Sequence, residues 1–158
     1  MKLTRSVSYA IGILLQVAPA SSDAPFTAAR IAKGCRFPPR FLYRILRWLV
    51  DAKLLGGISG PGGGYRLLRS PRSITLLDIV TAVDAPPEPT HLDPVRVSQR
   101  AAIEKVNQIC EAATSRFTAD LRRIKLSDLQ TASKGNRGKK TAARPVAAKK
   151  GARRTANS

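Results

Sequence analysis

Arg40, Tyr43, Arg44 and Arg47 recur at i, i+3, i+4 and i+7. A helix over this stretch gathers them on one face. A guanidinium offers paired N–H donors that match the two major-groove acceptors of guanine, and a tyrosine can contact a base edge or a phosphate. The plainer reading is a solvated basic face. Residues 24–50 contain no Asp or Glu, so no carboxylate within that stretch neutralises the guanidinium groups. That favours a helix that reads DNA.

Such a face needs a rigid back. Leu42, Ile45, Leu46, Leu49 and Ala52 supply it, at i, i+3, i+4, i+7 and i+10. Pro38 and Pro39 open this third helix, where no amide donor is required. Before it, Thr27 is a candidate N-cap for a helix over 28–33 that Gly34 ends. Two helices joined by a short turn form a helix-turn-helix pattern. A first helix is expected over 4–17, capped by Thr4 and stopped by Pro19 and the Ser21-Ser22-Asp23 cluster. Leu3, Val7, Ile11, Leu14, Leu15 and Ala18 give it an apolar stripe. Lys2, Arg5 and the apolar run 9–15 also outline a secretory signal, but Gln16 and Pro19 interrupt that outline.

After the third helix, two short apolar runs, 54–59 and 65–68, flank Gly60-Pro61-Gly62-Gly63-Gly64. The pattern predicts a β-hairpin. It lacks the Gly-Lys-Ser/Thr ending of a nucleotide-binding loop. A hairpin directly after a reading helix is better explained as a wing lying on the DNA backbone or in the minor groove. A fourth helix follows over 75–83, with Thr75 and Asp78 as a capping box and Leu76, Ile79, Val80 and Val83 as its buried face. Residues 85–94 hold four prolines and form a hinge.

A long helix is expected over 95–124. Its apolar residues Ile103, Val106, Cys110, Ala113, Phe117, Leu121 and Ile124 are spaced 3, 4, 3, 4, 4 and 3 apart, a near-heptad. At roughly 45 Å it is too long for a domain of this size to cover, so the stripe is expected to pair with a second copy. A helix lying along its own domain is the alternative. Cys110 on that stripe is expected to act as a small hydrophobe.

Charge is segregated along the 158 residues. Residues 1–72 carry 12 Lys/Arg against 2 Asp/Glu, residues 73–130 carry 7 against 8, and residues 131–158 carry 9 against none. The overall net charge is +18. Two separated basic regions suggest two contacts with a polyanion, nucleic acid first and an anionic membrane surface second. The segment 131–158 has one large aliphatic residue, Val146. It reads as a disordered polycationic arm.

Several classes are disfavoured. Cys35 and Cys110 form no CxxC pair and no Cys/His cluster, which argues against a zinc finger or a disulfide scaffold. His91 is the only histidine and lies in a Pro-rich stretch, so no metal site and no His-based catalysis are expected. There is no paired-carboxylate or nucleophile–base arrangement, so an enzyme is not expected. No run approaches the ~20 apolar residues of a membrane span.

The opening Met1-Lys2-Leu3-Thr4 with Tyr9-Ala10, Ile31-Ala32, and Phe41-Leu42, Ile45-Leu46 and Leu49 belong to a recognisable pattern. Its most specific parts are Gly60-Pro61-Gly62-Gly63-Gly64-Tyr65-Arg66-Leu67 and Ile74-Thr75-Leu76-Leu77-Asp78-Ile79-Val80-Thr81-Ala82-Val83, followed by Leu126-Ser127-Asp128-Leu129. Across residues 1–130 the chain resembles the Rrf-two family of bacterial winged-helix transcription regulators. The resemblance implies a homodimer with a winged helix-turn-helix that binds a partly palindromic operator. Three departures stand out. Members with an iron–sulfur cluster carry three cysteines after the fourth helix, and residues 85–100 here have none, so no cluster and no other cofactor is expected. Tyr43-Arg44 replaces the usual Glu-Gln, which implies a different operator with guanine contacts. Ser59 stands where the wing often has Arg.

The expected architecture is mainly α with a small β-hairpin. A winged helix-turn-helix domain occupies residues 1–85, a hinge and long dimerisation helix 86–130, and a basic tail 131–158. The candidate DNA contacts are Lys2, Thr4, Arg5, Thr27, Arg36, Pro38, Arg40, Tyr43, Arg44 and Arg47, with Ser59, Gly60, Gly62, Gly63, Tyr65 and Arg66 in the wing. The expected activity is that of a cytoplasmic, nucleoid-associated regulator of transcription, a repressor, binding double-stranded DNA as a homodimer with no membrane partner. The alternative is an architectural protein that coats DNA with little sequence preference. A redox or metal sensor with unusual ligands is a third class.

Overall fold

The computed structural model describes residues 3–19, 25–34 and 38–135, with the side chains at 39, 134 and 135 excepted. The expectations placed on Lys2, Cys35, Arg36 and residues 136–158 lie outside the described residues.

The order of elements is α1 (Arg5–Val17), α2 (Ala28–Gly34), α3 (Pro39–Asp51), β1 (Leu55–Ile58), β2 (Gly64–Leu67), α4 (Leu76–Val83), a 3-10 turn (Val97–Gln99), α5 (Arg100–Arg123) and α6 (Leu126–Gly135). The core forms where apolar stripes of these helices meet. Val7, Ala10, Ile13, Leu14 and Val17 come from α1, Ile31 from α2, and Leu42, Ile45, Leu46 and Leu49 from α3. Leu54 and Leu55 at the start of the hairpin, Ile74, then Leu76, Ile79, Val80 and Val83 of α4, and Leu121 and Leu126 further on, complete it. Burying each large aliphatic side chain contributes about 1.5–3 kcal/mol, so α1, α3 and α4 are held by packing as well as by their own backbone bonds. Ala52, expected on the inward stripe, is the exposed C-cap of α3 instead.

Local signals set the element ends. Thr75 and Asp78 form the capping box at α4: Asp78 N–H donates to Thr75 Oγ1 at 3.0 Å, and Thr75 N–H donates to Asp78 Oδ2 at 2.8 Å. Arg30 N–H donates to Thr27 Oγ1 at 3.2 Å at the start of α2. Thr4 stands at the N-cap of α1, but its side chain makes no capping bond. The end of α3 is a Schellman motif. Leu54 N–H donates to the Leu49 carbonyl and Lys53 N–H to the Val50 carbonyl, both at 3.0 Å. This turn needs a left-handed residue, and Lys53 takes it with φ +57°.

β1 and β2 pair antiparallel, with Leu55 opposite Leu67 and Ile58 opposite Gly64. A third segment joins them. Phe26 and Tyr65 exchange both backbone hydrogen bonds, each at 2.9 Å, so the chain entering α2 is stitched to the wing.

The second half of the chain departs from the sequence reading. The long helix is shorter than 95–124: a 3-10 turn precedes it, and α5 stops at Arg123. Ile124 is extended rather than helical. The cause is backbone pairing, since Leu76 N–H donates to the Ile124 carbonyl and Leu126 N–H donates to the Ile74 carbonyl, each at 2.9 Å. A separate α6 then begins, with Lys125 N–H donating to Asp128 Oδ2 at 2.9 Å. It runs to Gly135, so the first residues assigned to a tail are helical.

Candidate nucleic-acid interface

The two faces of α3 diverge as the spacing requires. Leu42, Ile45, Leu46 and Leu49 are buried, while Arg40, Tyr43, Arg44 and Arg47 are exposed. Tyr43 keeps 62% of its surface open to solvent, although a tyrosine with room to pack normally covers its ring. The cations are supported individually. The Arg44 guanidinium lies 4.5 Å from the Trp48 ring centre and that of Arg40 lies 5.3 Å from that of Phe41. Arg47 Nε stands 3.8 Å from Asp51 Oδ2, in a pair that is largely exposed. Such a pair contributes little to stability.

The wing tip is built by glycine. Gly63 N–H donates to the Gly60 carbonyl at 2.9 Å, with Pro61 and Gly62 between them. Gly62 has φ +79°, the left-handed position of a type II turn. A side chain on Gly63 would overlap the Ile58 carbonyl. Ser59, Gly60 and Gly62 are exposed and Gly63 half-buried, and Arg66 projects to solvent from β2. Tyr65 differs: it is half-buried, packs against the core and carries the bridge to Phe26, so its role is to hold the wing.

Thr4, Arg5, Thr27 and Pro38 are exposed. Arg30 and Lys53 are among the exposed cations that the sequence reading left out. Arg30 is exposed on α2, its guanidinium 4.1 Å from the Phe26 ring centre. Lys53 is exposed at the α3–β1 junction. Both could have been found by mapping every basic residue of 1–72 onto a helix face or an element end.

The α5 stripe splits in two. Thr114 and Leu121 are buried, and Phe117 packs against the chain's own core. Leu121 keeps only 4% of its surface. Phe117 and Leu121 are therefore committed within the chain, and Ile124 lies outside the helix, so these three leave the expected pairing face. Ile103 and Cys110 are half-buried on the Leu121 side. About 100° around the helix, Ala102, Val106, Ile109 and Ala113 form a second seam spaced 4, 3 and 4. Val106 is 40% and Ile109 60% exposed. Ile109 was missed because the heptad was read through its neighbour Cys110.

Two successive helices, the second exposing a basic face and followed by a glycine-tipped hairpin, define a winged helix-turn-helix protein. A family model described as Rrf2, iron-dependent transcriptional regulator, matches residues 3–132. The chain belongs to this family. It is 30% identical over 131 residues to the HTH-type transcriptional regulator IscR of Vibrio parahaemolyticus, covering 83% of this chain and 78% of that protein. It is 37% identical over 90 residues to an rrf2-like protein of Rhodobacter capsulatus, a match that covers 55% of this chain and 60% of that protein's length. Its fold matches that of CymR, the global cysteine regulator of B. subtilis, with a TM-score of 0.66 and 24% identity, over 84% of this chain and 98% of the other.

The family description raises the matter of iron. The chain has two cysteines in all, so one copy cannot supply three thiolates. Among the described residues no group of three or more His, Cys, Asp or Glu is placed to hold a metal ion. These residues do not fit a cluster held by three cysteines. No helix among the described residues is long and apolar enough to cross a membrane.

Proposed function

We propose that this protein regulates transcription by binding a partly palindromic DNA site as a homodimer, with α3 in the major groove and the wing on the flanking backbone. The observation that carries the reading is the solvent-exposed set Arg40, Tyr43, Arg44 and Arg47 on the second helix of the helix-turn-helix. Arg44 is the base reader, through a bidentate contact to guanine. Thr27, Arg30, Arg66 and the wing-tip amides hold the register on phosphates, which carry no sequence information. The pairing element is α5, through Ala102, Val106, Ile109 and Ala113. An isologous contact between two such helices sets two reading helices about a two-fold axis, and the site inherits that symmetry.

The test is selection from random duplex DNA with the full chain. The expected result is one enriched motif with related half-sites containing guanine. Enrichment of no motif overturns the proposal in favour of binding without sequence preference.

A further inference from the structure

The arginines of α3 are supported in two different ways, and the difference divides their work. Arg44 and Trp48 are one helical turn apart. Long side chains on a helix lean toward its N-terminus, so the indole at i+4 reaches back beneath the guanidinium, 4.5 Å from ring centre to Cζ. Trp48 is itself half-buried and packed against the core, so the platform is fixed by the fold. A guanidinium stacked on a ring uses its face. Its N–H edges stay free for a second partner. Arg47 is held by the opposite means. Its Nε faces the Asp51 carboxylate at 3.8 Å, too long for a hydrogen bond, so Asp51 offsets part of its charge and no ring fixes its orientation.

From this we propose that Trp48 is a specificity-determining positioning residue: it presents the Arg44 guanidinium edge-on for a bidentate contact to guanine. Arg47, with no ring beneath it and its charge partly offset by Asp51, contributes affinity without base discrimination. The inference rests on the proposed function, because it assumes that α3 reads bases. Trp48 touches no base. It acts by restricting, before binding, a side chain that otherwise loses rotamer freedom on the DNA. Leucine at position 48 keeps apolar bulk for the core and removes the ring. Phenylalanine keeps a weaker ring.

The experiment uses the full chain, the selected duplex and the same duplex with one guanine of the half-site replaced. The readout is the ratio of the two Kd values. Trp48→Leu is expected to lower that ratio about two- to five-fold, the scale of an exposed cation–π contact, and Trp48→Phe by less. Arg44→Ala should collapse the ratio at the same base, and adding Trp48→Leu to it should change nothing further. Asp51→Asn should tighten both duplexes alike. Thermal unfolding of each variant checks that it is folded, and Trp48→Phe serves if Trp48→Leu is not. Equal weakening of both duplexes by Trp48→Leu overturns the platform role. So does an equal loss of ratio with and without Arg44. If Arg44→Ala leaves the ratio unchanged, Arg44 is not the base reader and the function proposed for α3 falls with it. If Arg44→Ala collapses the ratio and neither Trp48 variant moves it, only the platform falls.

Discussion

Asn107 grips the backbone of Leu92 with both ends of its amide. Leu92 N–H donates to Asn107 Oδ1 at 2.8 Å, and Asn107 Nδ2 donates to the Leu92 carbonyl at 3.0 Å. This pair ties the Pro-rich hinge to the first half of α5. Asn107→Ala removes both bonds at an exposed site, where each is worth about 0.5–1.5 kcal/mol. Asn107→Asp keeps an acceptor and loses the donor. The expected outcome is faster amide hydrogen exchange at Leu92 in Asn107→Ala and little change in Asn107→Asp, whose carboxylate still accepts from the Leu92 N–H, with the exchange of the α1 and α3 core amides unchanged. Unaltered exchange at Leu92 in Asn107→Ala would show that the hinge is held by other contacts.

Gly64→Ala should damage the wing from its base. A Cβ at this position would sit 2.6 Å from the Phe26 carbonyl oxygen, which is backbone and cannot swing aside. The exchange of hydrogen bonds between Phe26 and Tyr65 must then open. The expected cost is on the order of 1–3 kcal/mol, typical of overpacking, read as a lower denaturant midpoint at unchanged m-value. A midpoint equal to that of the parent chain refutes the argument.

Much of the reading half was legible because two signals there coincide. On α3 the buried and basic stripes share one 3.6-residue period, so either one alone locates the other. In the wing, Gly60-Pro61-Gly62-Gly63 combines a fixed φ with a left-handed position, and few backbones accept both. The bridge from Phe26 to Tyr65 had no such signal, since a single pair of residues shows no alternation. The break at Ile124 was hidden for a different reason. No glycine or proline marks it, and it exists because Ile74 and Leu76 offer backbone partners that only the fold brings near. On α5 the inward and outward apolar residues lie about a quarter turn apart, so a single stripe drawn through them mixes two surfaces.

Lys53 makes a prediction in the stabilising direction. It occupies the left-handed position that closes α3, at φ +57°, where a side chain costs about 1–2 kcal/mol. Glycine removes that strain, and part of the gain is offset by the greater freedom of the unfolded chain. Lys53→Gly is expected to stabilise the fold by about 0.5–1 kcal/mol, seen as a higher Tm. If Lys53 also contacts phosphate, the same variant weakens binding on every duplex and lowers the salt slope by about one. A lower Tm would mean that the lysine side chain stabilises the turn by more than the strain it brings.

Residues 136–158 carry eight Lys/Arg and no Asp or Glu. Each phosphate they neutralise adds about 0.9 to the magnitude of the log Kd against log salt slope. Removing them should flatten that slope on every duplex and leave the ratio between selected and altered duplexes intact. An unchanged slope means that the segment makes no phosphate contact, and a changed ratio means that it takes part in reading sequence.

The outer seam of α5 makes the oligomeric state testable at one residue. Ile109 is 60% exposed at its centre, flanked by Val106 and Ala113 at heptad spacing. Ile109→Asp would bury a carboxylate without a partner at a two-fold contact, and the partner copy would add a second beside it. The expected outcome is sedimentation as a monomer at concentrations where the parent chain is a dimer. Gln108→Asp adds the same charge on the same turn but away from the seam, and should remain dimeric. Leu121 gives the contrasting result: because it is buried in its own chain, Leu121→Ala should lower the unfolding free energy by about 2–5 kcal/mol while a folded variant keeps its dimer. A parent chain that is monomeric throughout, or a dimer untouched by Ile109→Asp, places the contact between copies elsewhere than on this seam.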